Sequence, residues 1–421
     1  MKTWLERLFL ALIFSLGFMQ PALPVSGYQL PGTEFTFLIV AVVLAAAVTF
    51  KQVPVVWDPI YHYLIAFIIA MAASAAFSVR PEVSLVKLAG VVYLVGLTVI
   101  CINVVTTERI LKQTVLVWIC ASTIVCTIGV ITIFLFYVDR SSPWHSLFLH
   151  HYGSLPVGNY PRIQSTFLYP AMLCNYLTVG LVLTLAAGRV GWLGHKTWIT
   201  VAVLHCLCAA FTLTPGLGGF LFGLTAYAAA VPARSKKATS VRLSVAAGFT
   251  AVLSVLMSAI SPWPIQTSPY VFSFFGTRLD PTQRLLAWQG SWDTFLDFPI
   301  LGKGIGLGVA NVQFLPPSGQ MQLLTDAHNV WLSVAAQAGV VGTAALLAIA
   351  VTAIIRSRVD RSNSTTLATL RHSLLIAFVS VIFIQGLVGS FEDARHLWVL
   401  IGLIVAASKI DSEVVQVKSK L

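Results

Sequence analysis

Three residues of this chain combine reactive chemistry with telling positions: His328, Arg284 and Arg162. His328 stands in Thr325-Asp326-Ala327-His328-Asn329, directly ahead of an apolar run, Asn329 to Ile355, that reads as one long helix. The positive end of a helix dipole disfavours an imidazolium, so a ring placed there is neutral at neutral pH and can accept a proton as a general base. Asp326 opposes that shift or orients the ring. A histidine that merely caps a helix at an interface fits the same residues equally well. Arg284 lies in Asp280-Pro-Thr-Gln-Arg284-Leu-Leu-Ala-Trp288, and Arg162 in Asn159-Tyr-Pro-Arg162-Ile-Gln-Ser-Thr-Phe167. A guanidinium fork matches paired phosphate oxygens, whereas an arginine beside an apolar run also serves as a snorkelling anchor. Both readings stand for Arg162.

The elements that must position these residues follow from local pattern. Asp280-Pro281 supplies an N-cap and a proline for the first helical position, so a helix is expected to start there. Arg284, Trp288 and Trp292 recur every fourth residue with Phe295 beside them, which predicts an amphipathic helix lying in a membrane interface and broken at Phe298-Pro299. Gly302-Lys303-Gly-Ile-Gly-Leu-Gly308 superficially matches a phosphate-cradling loop. It lacks the Lys-Ser/Thr of a nucleotide loop and follows no parallel strand, so a tight turn that lets backbone approach a ligand or a helix is the better reading. Ala335/Gly339 and Ala338/Gly342, each four apart, predict close helix packing. His145, His150 and His151 have no metal-site spacing and are read as interfacial packing residues.

The chain is 57% hydrophobic and 10% charged over 421 residues, with mean hydropathy +0.86. A soluble surface cannot be built from that composition; the class is an all-α polytopic membrane protein set in a lipid bilayer. Twelve spans are expected, near 8–24, 35–50, 59–78, 83–105, 113–138, 166–188, 198–213, 217–232, 243–261, 329–355, 373–390 and 396–409. With both ends on the inner side, the whole excess behind the net charge of +11 falls there, including Arg234-Ser-Lys-Lys237, Arg356 to Arg361 and Lys418-Ser-Lys420. No basic stripe remains for nucleic acid. Two outer loops are long, about 139–165 and 262–328. The start, Met-Lys-Thr-Trp-Leu-Glu-Arg and an apolar stretch, is similar to a signal peptide, but span parity favours an uncleaved helix. All six cysteines fall inside expected spans, so neither a disulfide nor a cysteine metal site is expected.

Taken together, Arg162-x3-Thr166-Phe167, Arg284-x3-Trp288 leading to Pro299-x2-Gly302-x-Gly304-x-Gly306, and His328-Asn329 followed by Gly339-x2-Gly342 resemble the O-antigen ligase superfamily. That superfamily includes O-antigen ligases, O-antigen and exopolysaccharide polymerases, and protein O-oligosaccharyltransferases. The resemblance covers about 160–409. It divides the chain into N-terminal membrane helices with the start of the first outer loop (1–150) and a catalytic membrane region (151–421) containing the loop 262–328. It implies a bacterial inner-membrane enzyme of lipopolysaccharide or polysaccharide biosynthesis, with its active site facing the periplasm. Such an enzyme passes a glycan from undecaprenyl diphosphate to a hydroxyl of a glycolipid or glycan acceptor. The resemblance further implies an inverting reaction with no cofactor and no metal, His328 catalytic, and Arg162 and Arg284 facing the diphosphate. Asp326, Trp288, Lys303 and Arg278 are possible supports.

This sequence departs from the family pattern in one place. Where the family often carries Ser-Arg-Gly, it reads Thr214-Pro-Gly-Leu217-Gly-Gly219, so that one cation must be absent or supplied by Arg278, Lys303 or Arg395. A polymerase of the same superfamily is the nearest alternative. A transporter of lipid-linked glycan is the alternative from another class, weakened because Lys87 is the one charge plainly within a span and no repeat is visible. A catalytically dead scaffold is a third.

Overall fold

The computed structural model describes residues 2–25, 28–142, 144–152, 160–230, 248–250, 252, 260–261, 272–274, 277–281, 283–314, 322–357, 365–389 and 394–419. The expected span 243–261, apart from short pieces, and the basic clusters 234–237 and 358–361 lie outside these residues, as does Lys420.

The chain begins with α1 (Lys2–Ser15), a ribbon of β1 (Ala22–Val25) and β2 (Tyr28–Pro31), and α2 (Gly32–Thr49). The first helix therefore ends well short of residue 24. Pro21 and Pro24 have no amide hydrogen to continue it, and the chain turns back with Leu23 opposite Leu30. Next come α3 (Ile60–Ala76), α4 (Pro81–Val104) and α5 (Glu108–Val138). Pro81 opens α4 at a position where no amide hydrogen is needed, and the Thr107 side chain caps α5 by accepting from the Ile110 amide. A single turn α6 (His145–Phe148) and the hairpin β3 (Leu149–Tyr152) with β4 (Tyr160–Ile163) lead to α7 (Pro170–Arg189), α8 (His195–Ala210) and α9 (Leu217–Ala230).

A small antiparallel sheet follows, with β7 (Thr277–Pro281) between β5 (Ile260–Ser261) and β6 (Phe272–Phe274). After it come α10 (Gln283–Asp297), the pair β8 (Val312–Phe314) and β9 (Gln322–Leu324), and α11 (Val330–Ser357). The chain then runs through α12 (Thr365–Phe378), a π-helical turn Val379–Ile384, a 3-10 turn Gln385–Leu387, and α13 (Arg395–Ser419).

Among the described residues six helices are long and apolar enough to cross a membrane: Gly32–Thr49, Pro81–Val104, Glu108–Val138, Pro170–Arg189, Val330–Ser357 and Thr366–Leu387. Shorter apolar helices accompany them at Ile60–Ala76 and Leu217–Ala229. Large apolar side chains such as Leu38, Val42, Ile69 and Phe134 point outward, which suits lipid and not water. The protein is an all-α membrane protein crossing the bilayer several times.

Helix α7 is the axis of the core: its residues from Leu173 to Thr184 are all buried. Tyr176 on it stacks on Trp118 of α5 and meets His396 of α13 edge-on. The cysteines sit in α4, α5, α7 and α8 as thiols.

At the far end of α11, buried Asp58 pairs with Arg356 at 3.2 Å and Lys409 at 3.3 Å, clasping the entry to α3, the end of α11 and α13. Lys409 also donates to the Trp57 carbonyl, and Arg371 donates to the Arg356 carbonyl.

Helix α11 is not the single helix that its apolar run predicts. Gly339 adopts φ 63°, ψ −165°, so two half-helices meet there. A helix cut open inside a membrane exposes carbonyls and amides that lipid cannot satisfy. Here the turn after α10 fills the gap. The amides of Lys303 and Gly304 donate to the carbonyls of Ala336 and Gln337, and the amides of Val340 and Val341 donate to the carbonyls of Pro299 and Ile300. Ser74 of α3 donates a second bond to the Gln337 carbonyl at 2.6 Å.

The approach leaves no room for side chains. A Cβ on Gly302 would lie 2.1 Å from Gln337 backbone, and one on Gly339 would lie 2.1 Å from the Ile300 carbonyl oxygen. The glycine run is thus a backbone plug against a helix, one of the two roles open to it. The expected role of Gly339 in helix–helix packing is corrected to close contact with this plug.

Candidate active site

Arg284 and His328 belong to one module, joined through short polar links. Arg284 is in the first turn of α10. The expected cap at Asp280 is not observed: Asp280 and Pro281 close strand β7, opposite Ser261 and Ile260, and the helix begins at Gln283. Proline forces its preceding residue towards extended geometry, and this outweighs the capping preference of aspartate. The buried face of α10 is made of small residues, Ala287, Ser291 and Thr294, while Trp292 is 49% exposed and its ring lies 5.3 Å from Phe295. The aromatic stripe is therefore a flank and not the docking face.

From that small face the links run towards the histidine. Thr294 donates to the Val309 carbonyl at 2.7 Å, and the amides of Val309 and Ala310 both donate to the Thr325 carbonyl. Val309, Ala327 and Ala336 form a compact apolar knot with Phe295 and Leu332 against it. Three residues past Thr325, His328 takes φ 48° in the left-handed region. Non-glycine residues rarely adopt it, and such strain clusters at functional sites. Asn329 caps α11, its side-chain oxygen accepting from the amides of Trp331 (3.0 Å) and Leu332 (3.1 Å).

The His328 ring is 35% exposed, enough to meet a ligand while shielded on its other side. Its Nδ1 lies 3.5 Å from Oδ2 of Asp326. The other Asp326 oxygen accepts from the His328 amide at 3.4 Å. Burial pushes the His328 pKa below its ordinary value; the Asp326 carboxylate opposes this and the Arg284 guanidinium adds to it. Partial desolvation is thus the leading cause. The Arg284 contribution places its charge close to the imidazole. A proton held at Nδ1 beside Asp326 leaves Nε2 as the acceptor.

Of the possible supports, Trp288 lies one turn after Arg284, and its indole N–H is buried with no acceptor among the described residues. Lys303 donates to the Gly308 carbonyl at 2.9 Å, bracing the glycine turn. Arg278 lies in β7 opposite Ser273, and its side chain falls outside the described residues. Arg395 is ion-paired with Glu34 at the start of α2.

Arg162 stands on a second module. It lies in β4 opposite His150, and its Nε donates to the Thr212 carbonyl at 2.9 Å, just past the end of α8. That carbonyl opens the segment containing Thr214 to Gly219. Gln385 packs into this segment: a Cβ on Gly219 would lie 2.2 Å from its side chain. The next residue, Gly386, lies against Val330 at the head of α11. The Thr214–Gly219 link, with partly buried Leu217, therefore lies between the anchor of Arg162 and the helix that follows His328. Gln385 is absent from the residues singled out by motif; a lone glutamine in an apolar run is the signal that could have marked it.

His145 is buried with its ring 5.4 Å from Phe136, and His150 meets Tyr169 edge-on, the packing roles expected of them. The side chain of His151 is outside the described residues.

A family model described as O-antigen ligase matches residues 175–347, less than half of the chain. That stretch is similar to the O-antigen ligase family. The match includes Arg284, His328 and the whole plug, and it begins after Arg162. No curated protein matches the chain.

Proposed function

We propose that this protein is an O-antigen-ligase-type glycosyltransferase of the bacterial inner membrane. It moves a glycan from undecaprenyl diphosphate to an acceptor hydroxyl at the periplasmic face. The observation that carries the proposal is the group His328, Asp326 and Arg284: a strained, partly exposed, neutral imidazole with a carboxylate at Nδ1 and a guanidinium nearby.

In this reading His328 Nε2 takes the proton of the acceptor hydroxyl as its oxygen attacks the anomeric carbon. The bond from that carbon to the diphosphate breaks on the opposite face, so configuration inverts, and undecaprenyl diphosphate leaves with the bonding electrons. Arg284 and Arg162 meet its oxygens, where charge grows as the bond breaks and where a half-buried guanidinium acts most strongly. Asp326 keeps the ring in the accepting tautomer, and the Trp288 indole offers a further donor. No metal takes part in this scheme. Leu217 leaves the link without a cation, so the two arginines carry the phosphate charge.

Purified protein in liposomes, given labelled undecaprenyl diphosphate glycan alone or with a lipid A–core acceptor, tests this directly. Transfer only with the core lipid is expected; chains lengthening from donor alone would make the enzyme a polymerase. His328→Ala should lower transfer by at least about a hundredfold while the protein still inserts. Full activity in that variant would remove the histidine from the mechanism. Donor left unconsumed in every arm would turn attention to transport.

A further inference from the structure

Away from this site, α7, α8 and α9 enclose an open apolar groove of about 430 Å³, with Leu181, Trp198, Ile199, Ala202, Val203 and Leu207 on its walls. Ile199, Val203 and Leu207 are all exposed, so the groove faces outward. From Trp198 to Leu207 it follows α8 for about 13 Å. That is close to one leaflet's share, about 15 Å, of the hydrocarbon core.

One end of the groove is basic and aromatic. Trp198 packs so tightly on Gly188 that a Cβ there would lie 2.5 Å from its ring. His195 meets the same indole at 5.6 Å, and Lys112 lies over the Trp192 ring at 5.4 Å. Arg189 and Lys196, both exposed, flank this turn, and the chain from Gly188 to Trp198 contains no acidic residue. Tryptophan and long basic side chains in this arrangement mark the headgroup level of a bilayer.

We propose that this groove seats one acyl chain of an anionic phospholipid, with the lipid phosphate held by Lys112, Arg189 and Lys196. An apolar slot one leaflet long fits a single chain, and the cations at its mouth select a negative headgroup over a zwitterionic one.

The test uses the full-length protein in detergent with equal phosphatidylglycerol and phosphatidylethanolamine, and native mass spectrometry to count retained lipids. Wild-type protein should keep phosphatidylglycerol over phosphatidylethanolamine by at least about fivefold. Lys112→Gln with Lys196→Gln should bring the two to parity, and Val203→Trp should lose one bound lipid. All three residues are exposed, so folding is not at stake. A photoreactive residue at Ile199 provides a second arm in otherwise unaltered protein and should cross-link to phosphatidylglycerol. Equal retention of the two lipids, unchanged preference in the double variant, or a cross-link to residues 231–259 in place of lipid would each overturn the proposal.

Discussion

At the scale of single residues, the chemistry turns on how burial and two charges set one imidazole. Burial and Arg284 favour neutral His328, and Asp326 favours the cation. The folded pKa is lowered, so the neutral base persists into mildly acidic solution and is lost only as pH falls through that lowered value. Replacing Arg284 by Gln removes a repulsion of the imidazolium, so the acidic limb of kcat/KM should move to higher pH, along with a fall in rate. Asp326→Asn removes an attraction, so the limb should move to lower pH. Opposite shifts in the two profiles are the expected outcome, and shifts of the same sign would remove the electrostatic account. In sequence His328 stands out ahead of an apolar run and Arg284 at the head of an amphipathic stretch, and the fold links the two through Thr294, Val309 and Thr325. The strand at Asp280 is hidden from capping preference alone, because proline constrains its predecessor to extended geometry more strongly than aspartate favours a cap. The Arg162–Thr212 bond was not legible, since it joins segments fifty residues apart with no shared pattern.

At the scale of elements, the break in α11 matters most. Hydropathy runs unbroken across Gly339, so a sequence pattern reads one helix; only the backbone angles and the facing turn reveal two. The plug ties the end of α10, which carries Arg284, to the half-helix that follows His328. Its bonds also reach the side of the membrane domain built by α3 and α4. Gln337 accepts from the Gly306 amide at 2.7 Å and donates to Ser333, while Ser84 donates to the Ile305 carbonyl at 2.7 Å. The conformation of Gly339 is nearly closed to other residues, and a Cβ would strike the Ile300 carbonyl. Gly339→Ala should therefore destabilise the protein by at least about 2 kcal/mol, read as a lowered thermal midpoint in detergent. Gln337→Ala leaves one amide without its acceptor and should cost about 1–2 kcal/mol. Stability equal to wild type in both variants would mean that the plug is not seated as described.

At the scale of the whole molecule, composition made the class plain, because no other environment accepts so much outward apolar surface. What composition could not reveal is how distant helices are tied. The clasp at Asp58 joins segments about 300 residues apart, and nothing in the local pattern around Trp57-Asp58-Pro59 distinguishes it from an ordinary turn. Removing its carboxylate would leave Arg356 and Lys409 facing each other in a half-buried setting. Asp58→Ala should lower stability by about 3 kcal/mol, measured by unfolding in mixed micelles, without altering the pH profile of transfer. An unchanged midpoint would reduce the clasp to a surface ion pair.

The plug also constrains the order in which the protein can be built. Residues 299–304 leave the ribosome before Gly339, yet they are the partners for the opened backbone around it. The second half-helix therefore enters the bilayer either already paired with a segment waiting at the surface, or as a continuous helix that opens later to receive it. Only the second route separates insertion from closure. On that route a nascent chain stalled once α11 has cleared the ribosome should be membrane-integrated with residues 299–308 still open to protease; protection of that segment at the same stall would mark the first route.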